Sequence, residues 1–199
     1  MSTEEIVIRR VAEPFGFLGN MSPHPVTLRH AHGDLTFRTA EALFQAWRFV
    51  GDVRRWPTDE EIAAWAAGAD PTRWPESDAP CCGYARAVFN VAIRTSPMSA
   101  KMAAKNLVYL AIVAPRSARD VENMRRVISL KVAQHPFIAD QLRATGDRRI
   151  VEDCSARPST SGLFWGARRV GEMKGVGTTW EGKNALGNLW MSVRGELAP

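Results

Sequence analysis

Apolar and polar positions alternate in short runs near the start of the chain and recur at helical spacing through most of the rest. Glu5-Ile-Val-Ile-Arg9 alternates as a strand does, and Val26-Thr-Leu28 with Leu35-Thr-Phe37, arranged around Gly33-Asp34, reads as a hairpin. These segments predict a small antiparallel sheet. From Thr39 the period turns helical: Ala40, Leu43, Phe44, Trp47 and Val50 make one apolar stripe, while Glu41, Gln45 and Arg48 share another face. Thr39 suits the N-cap of this helix, and Thr58-Asp-Glu-Glu61 is a capping box ahead of Ile62, Trp65 and Ala66, with Gly68 to close that second helix. Residues 69–83 carry three prolines and read as an irregular surface loop. Ala85 to Arg94 predicts a helix, and Ser96-Pro97 caps and opens another that carries Lys101 and Lys105. Ser117 opens a helix to about Gln134 with Val121, Met124, Ile128 and Val132 as its buried stripe; Pro136 restarts a helix that Gly146 ends. Arg149 to Asp153 and Leu163 to Trp165 read as short strands, and Leu186, Leu189, Trp190, Val193 and Leu197 define a C-terminal amphipathic helix. The sum is a mainly α chain with a small antiparallel β-sheet, an α+β fold in one domain over residues 1–199.

Length agrees with one core: 199 residues with 45% hydrophobic composition bury one sizeable interior and do not need two. The 26 Lys and Arg against 21 Asp and Glu leave a formal charge of +5, which favours anionic partners, although the Arg pairs at 54–55, 125–126, 148–149 and 168–169 are scattered. Cys81, Cys82 and Cys154 form no CxxC pair and are odd in number, so a reducing cytoplasm is expected. The acidic start lacks the apolar core of a leader, and the longest apolar run, Leu107 to Ala114, is too short to span a membrane and is read as buried.

The common catalytic signatures are missing: no Walker loop, GxGxxG, GxSxG or HExxH occurs. His30-Ala-His32 has no third ligand at a convincing spacing, so neither a metal nor a cofactor is expected. Glu41 has two readings, a first-turn acid favoured by the helix dipole or a carboxylate backed by Phe44 and Trp47 and suited to acid and base work. Trp165 before Gly166, and Trp180 before Gly182, each set an indole beside glycine, which suits stacking on a base as well as ordinary packing.

Phe17-Leu-Gly-Asn20 with Ser22-Pro-His-Pro25, Thr39-x-Glu41-x-x-Phe44-Gln45-Ala46-x-Arg48-Phe49, Ser96-Pro97-x-x-Ala100-Lys101, Gln134-His-Pro136, Leu142-x-x-Thr145-Gly146, Val151-Glu152, Trp165-Gly166 and Asn184-x-Leu186-Gly187-x-x-Met191-x-x-Arg194 occur in this order. The series, over roughly residues 15 to 195, resembles the NADAR family, named for NAD and ADP-ribose. The resemblance implies a YbiA-like, mainly helical fold and action on N-glycosidic bonds of ribose phosphates or ADP-ribose. The candidate site is drawn from Asn20, Glu41, Phe44, Gln45, Arg48, Lys101, Trp165, Gly166 and Asn184 of this series, with Trp180 added from its own indole beside Gly182. Riboflavin-type members carry Trp-Gly-Asp-Gly, whereas this chain has Trp165-Gly166-Ala167-Arg168. Residues 50–95 are longer than the family's compact connection, and the tryptophan that precedes the long helix has no counterpart near Arg116.

Cleaving a base from ribose builds positive charge on the sugar, so a carboxylate near C1 is required, and Glu41 suits that place. Lys101 is either an amine that attacks the opened sugar as a Schiff base or a phosphate contact. Asn184 either bonds ribose hydroxyls or caps the last helix. The expected activity is removal of ADP-ribose from guanine in DNA or RNA, which would make it a repair enzyme with a nucleic-acid partner and no membrane partner. Cleavage of ribosylamino-pyrimidine phosphates of riboflavin biosynthesis and a non-catalytic ADP-ribose or NAD sensor are the alternatives.

Overall fold

The computed structural model describes residues 5–30, 33–49, 96–106, 111–173 and 177–197. In chain order its elements are β1 (Ile6–Ile8), β2 (Val26–His30), β3 (Gly33–Phe37), α1 (Ala40–Trp47), α2 (Pro97–Asn106), α3 (Ala118–Gln134), α4 (Pro136–Ala144), β4 (Ile150–Glu152), α5 (Thr160–Trp165), β5 (Arg168–Met173), β6 (Gly177–Glu181) and α6 (Ala185–Glu196), with a 3-10 turn at Gly16–Leu18. The class is α+β and mainly helical, as the periodicity predicts. The chain divides into two compact units, Pro23–Asn123 and Met1–Ser22 with Met124–Pro199; α3 spans the division.

In the unit Pro23–Asn123, β2 and β3 pair antiparallel from Val26 opposite Phe37 to His30 opposite Gly33. Gly33 and Asp34 are therefore strand residues rather than the turn expected of them. Thr39 then caps α1, its hydroxyl accepting the Ala42 N–H at 3.2 Å. At the other end of α1 the Arg48 carbonyl accepts from Ile112 N at 2.9 Å and Val113 N at 3.1 Å, which satisfies an otherwise orphaned helix-end acceptor. Ser96 caps α2 by accepting from Ser99 N at 3.0 Å, with Pro97 as first helical residue. The buried face of α2 is Ala100, Ala103 and Ala104, side chains small enough to let α1 and α2 approach closely.

In the other unit, β1 pairs parallel with β4, Ile6 opposite Ile150 and Ile8 opposite Glu152, so it is not part of an N-terminal antiparallel sheet. Ile6, Ile8, Ile150 and Val151 are buried there, as are Met124, Val127, Ile128 and Val132 of α3 and Leu186, Trp190 and Val193 of α6. Pro136 opens α4, and Gly146 at φ +53 follows its end in the left-handed conformation that glycine tolerates. Leu163 to Trp165 lie in α5, not in a strand: Ser159 caps the helix by accepting Gly162 N at 3.0 Å, and this local signal outweighs the β-propensity of the aromatic pair. β5 and β6 form an antiparallel hairpin with a register shift between Arg169 and Gly171. The helix expected after Thr58, the loop 69–83, the helix Ala85 to Arg94, Cys81 and Cys82, Ala31 and His32 of His30-Ala-His32, and residues 107–110 of the run from Leu107 lie outside the described residues. Among the described residues no helix is long and apolar enough to cross a membrane, and no group of three His, Cys, Asp or Glu is arranged to hold a metal.

Candidate active site

The polar face predicted on α1 is buried, and its members bond to one another. Glu41 and Gln45 are 5% and 4% exposed, so this polar face is packed against the protein. Gln45 Nε2 donates to Glu41 Oε1 at 2.9 Å, and Arg48 Nη1 donates to Gln45 Oε1 at 3.0 Å. The Arg48 guanidinium closes a two-pronged pair on Asp120, with Nε to Oδ1 and Nη2 to Oδ2 both at 2.8 Å. It also lies over the ring of buried Phe44, 4.6 Å from the centroid. From α2, Lys101 brings its ammonium 3.6 Å from Glu41 Oε1. A cavity of about 190 Å³ opens beside these groups, lined by Gln45, Arg48, Phe49, Lys101, Ala104, Lys105, Ala111 and Pro115. Arg48 is neutralised by Asp120 and Lys101 by Glu41, whereas no carboxylate among the described residues pairs with Lys105. The wall is therefore net cationic.

Asp120 is a member of this set that sequence reasoning missed. Its one signal is the Ser117-x-x-Asp120 spacing: the Ser117 hydroxyl accepts Asp120 N at 3.2 Å, which fixes the acid in the first turn of α3. Arg116 N also donates to Asp120 Oδ2 at 2.6 Å from a residue held at φ +66. The left-handed backbone there is thus tied to the carboxylate that holds Arg48.

The remaining predicted site residues, Asn20, Trp165, Gly166, Trp180 and Asn184, belong to the other unit, where Gly166 and Asn184 close on β4. Asn184, at φ +51 ahead of α6, makes no side-chain cap; its Oδ1 accepts Glu152 N at 3.0 Å and its Nδ2 donates to Ile150 O at 2.8 Å. Gly166 ends α5 where a Cβ would stand 2.3 Å from Glu152 O, and a Cβ on Gly187 would stand 2.3 Å from Ile150 O. Only glycine allows those backbones to close on the strand. Ala167, at the position of the riboflavin-type acid, is 1% exposed and bridges to Asp153. Trp165 is half-buried with Phe164 edge-on at 5.0 Å, and Trp180 on β6 donates from Nε1 to Glu5 Oε2 at 2.7 Å. Asn20 is buried and donates to Met124 Sδ at 3.1 Å; its Oδ1 has no hydrogen-bond partner among the described residues.

Lys131 is a second residue the sequence reading passed over. It is fully buried on α3 and donates to Phe17 O at 2.6 Å, Gly19 O at 2.9 Å and Ser22 Oγ at 2.7 Å. Burial lowers its pKa to about 7, against the opposing charge of Glu152. Cys154 is no activated thiolate, because burial and then the charge of Asp153 push its thiol up.

The NADAR domain model matches residues 80–198, more than half of the chain. The chain belongs to the NADAR family. NADAR is a glycosidase-like family. A curated relative, the chloroplastic riboflavin biosynthesis protein PYRR of Zea mays, is 28% identical over 186 residues, which cover 92% of this chain and 23% of the maize protein. The chain therefore spans under a quarter of that relative's length. The E. coli protein YbiA, solved by NMR, shares the fold at a TM-score of 0.53 with 21% identity, over 97% of this chain and 85% of YbiA. Several blocks of the NADAR series turn out to bracket one another. Asn184 and Gly187 hold Ile150 to Glu152, and Arg194 donates to Thr145 Oγ1 and Arg148 O, both at 2.8 Å; Lys131, outside the series, holds the Phe17–Ser22 stretch.

Proposed function

We propose that the protein hydrolyses the N-glycosidic bond of a phosphorylated riboside, with Glu41 as the carboxylate that faces the developing charge on the sugar. The observation that carries this reading is a buried carboxylate held between an amide donor and an ammonium beside a cavity with a net cationic wall. In the reaction the bond from C1 to the base nitrogen breaks as a water oxygen bonds to C1, and a proton from that water ends on the departing base. A carboxylate fixed in advance stabilises the oxocarbenium-like transition state without reorganising. Lys105 supplies the uncompensated charge for a phosphate of the substrate, and Lys101 completes that anion contact while holding Glu41.

Two substrate classes fit this chemistry. ADP-ribose on guanine in nucleic acid is favoured by the formal charge of +5 and by Ala167 at the place of the riboflavin-type acid. A ribosylamino-pyrimidine phosphate is favoured by the maize riboflavin biosynthesis relative, whose match covers 92% of this chain. Incubation of the purified protein with a guanine-ADP-ribosylated oligonucleotide, and separately with the small riboside, tests both. Release of free ADP-ribose from the first supports the repair reading, and release of ribose 5-phosphate from the second alone replaces it. Turnover of neither rejects the glycosidase assignment.

A further inference from the structure

We propose that Asp120 is a positioning residue for Glu41, acting through Arg48 and Gln45, and that this chain leaves Oε2 of Glu41 as the oxygen that meets the substrate. The proposal rests on the reading of Glu41 as the sugar-facing carboxylate. Its basis is the direction of the hydrogen bonds. An ionised carboxylate only accepts and a guanidinium only donates, so Asp120 at one end sets the sense of the whole sequence. Arg48 commits Nε and Nη2 to Asp120 at 2.8 Å each and Nη1 to Gln45 Oε1 at 3.0 Å. With its oxygen turned to Arg48, Gln45 presents Nε2 to Glu41, at 2.9 Å from Oε1. Oε1 must then accept and cannot hold a proton on that side. By elimination, proton exchange and contact with the sugar fall to Oε2.

Asp120 is suited to anchor such a chain because it does not itself line the cavity and cannot reorient. Its side chain is 0% exposed, it accepts Arg116 N at 2.6 Å as well as Arg48, and the first turn of α3 favours its charge. A bare ion pair serving the fold alone needs only Arg48 and Asp120. The further bond from the same guanidinium to Gln45, and from Gln45 to Glu41, is what ties that pair to the carboxylate.

The test is a cycle of Asp120→Asn and Gln45→Met on the purified enzyme, with Arg48→Lys as a variant that keeps the charge pair but cannot fork to both partners. Each single change is expected to lower kcat by about tenfold or more with KM within about threefold, and Asp120→Asn made in the Gln45→Met background to cost less than about threefold further. Arg48→Lys is expected to lose kcat to a similar extent. If Asp120→Asn costs its full factor again in the Gln45→Met background, or if Arg48→Lys keeps wild-type kcat, Asp120 does not act through Gln45. A crystal structure of ligand-free Asp120→Asn decides the matter without substrate: Glu41 should leave the Gln45 amide, and an unchanged contact overturns the proposal. A wild type that turns over neither riboside would instead overturn the glycosidase reading, and the crystal structure would still report on Asp120.

Discussion

Lys101 holds its ammonium nitrogen 3.6 Å from Oε1 of Glu41, one partner half exposed and the other buried. At that separation the two form an ion pair rather than a hydrogen bond. Oε1 receives its close donor from Gln45, so the ammonium compensates the carboxylate by charge, and Lys101 also lines the cavity. One residue thus lowers the cost of burying Glu41 and presents positive charge to an incoming anion. The two demands on Lys101, charge partner and anion contact, come from one geometry.

Exchanging the carboxylate for an amide separates binding from chemistry. Glu41→Gln is expected to reduce kcat by at least about a hundredfold, since the charge that faces the sugar in the transition state is lost. The cationic wall of Lys101 and Lys105 remains, so calorimetry with ADP-ribose should show affinity within a few-fold of wild type. Binding lost in parallel with turnover would place Glu41 among the ligand contacts instead.

Asp120→Ala strands a guanidinium whose side chain is 15% exposed. Removing one member of a largely buried pair leaves the other charge uncompensated, at a cost of about 3 kcal/mol. Urea unfolding should show this loss, and a change below about 1 kcal/mol would mean that Arg48 finds other partners at little cost.

Asn184 is set by the strand it holds. Asn184→Ala removes the bonds to Glu152 N and Ile150 O and puts at φ +51 a residue that visits the left-handed region less readily than asparagine. The expected loss is about 2–4 kcal/mol by denaturation. Asn184→Gly relieves the backbone but not the bonds and should recover less than half of it. Full stability in both variants would release Asn184 for contact with a ligand.

The parts of the fold legible in the sequence are those written locally. Thr39, Ser96 and Ser117 each announce a helix by a side chain that reaches its own first turn, and the stripe from Met124 to Val132 fixes which face of α3 is buried. Pairing is not local: β1 is three residues long and its partner β4 begins 144 positions later, so nothing around Ile6 distinguishes a parallel neighbour from an antiparallel one. The hairpin of β5 and β6 was not read because its segments, Arg-Arg-Val-Gly-Glu-Met and Gly-Thr-Thr-Trp-Glu, lack a clean apolar face. In the candidate site, Glu41, Gln45 and Arg48 were visible as one helical face, but the acid that orients them lies 72 residues beyond Arg48. Lys131 carried a signal that went unused, a charge seven residues after Met124 on an apolar stripe. Such a charge implies acceptors for it somewhere in the chain.

Burial makes Lys131 a pH-sensitive element of its unit. In the unfolded chain the amine keeps its proton to about 10.5, whereas in the fold burial brings the value to about 7, with Glu152 opposing the shift. Between these two values the unfolded state binds more protons than the folded one, so stability rises with pH; below about 7 both states hold the proton and the burial cost is present in full. The slope approaches about 1.4 kcal/mol per pH unit at its steepest. Lys131→Met fills the same space with nothing to titrate, at the cost of the bonds to Phe17 O, Gly19 O and Ser22 Oγ. The difference in unfolding free energy, wild type minus Lys131→Met, should therefore grow by about 2 kcal/mol between pH 7 and pH 9. Deprotonation does not break the cluster, because the Ser22 hydroxyl can turn to donate to the neutral amine while two N–H groups still reach the carbonyls. Parallel pH dependences of the two proteins would show that the ammonium stays charged across this range and that its bonds to Phe17, Gly19 and Ser22 outweigh the loss of water.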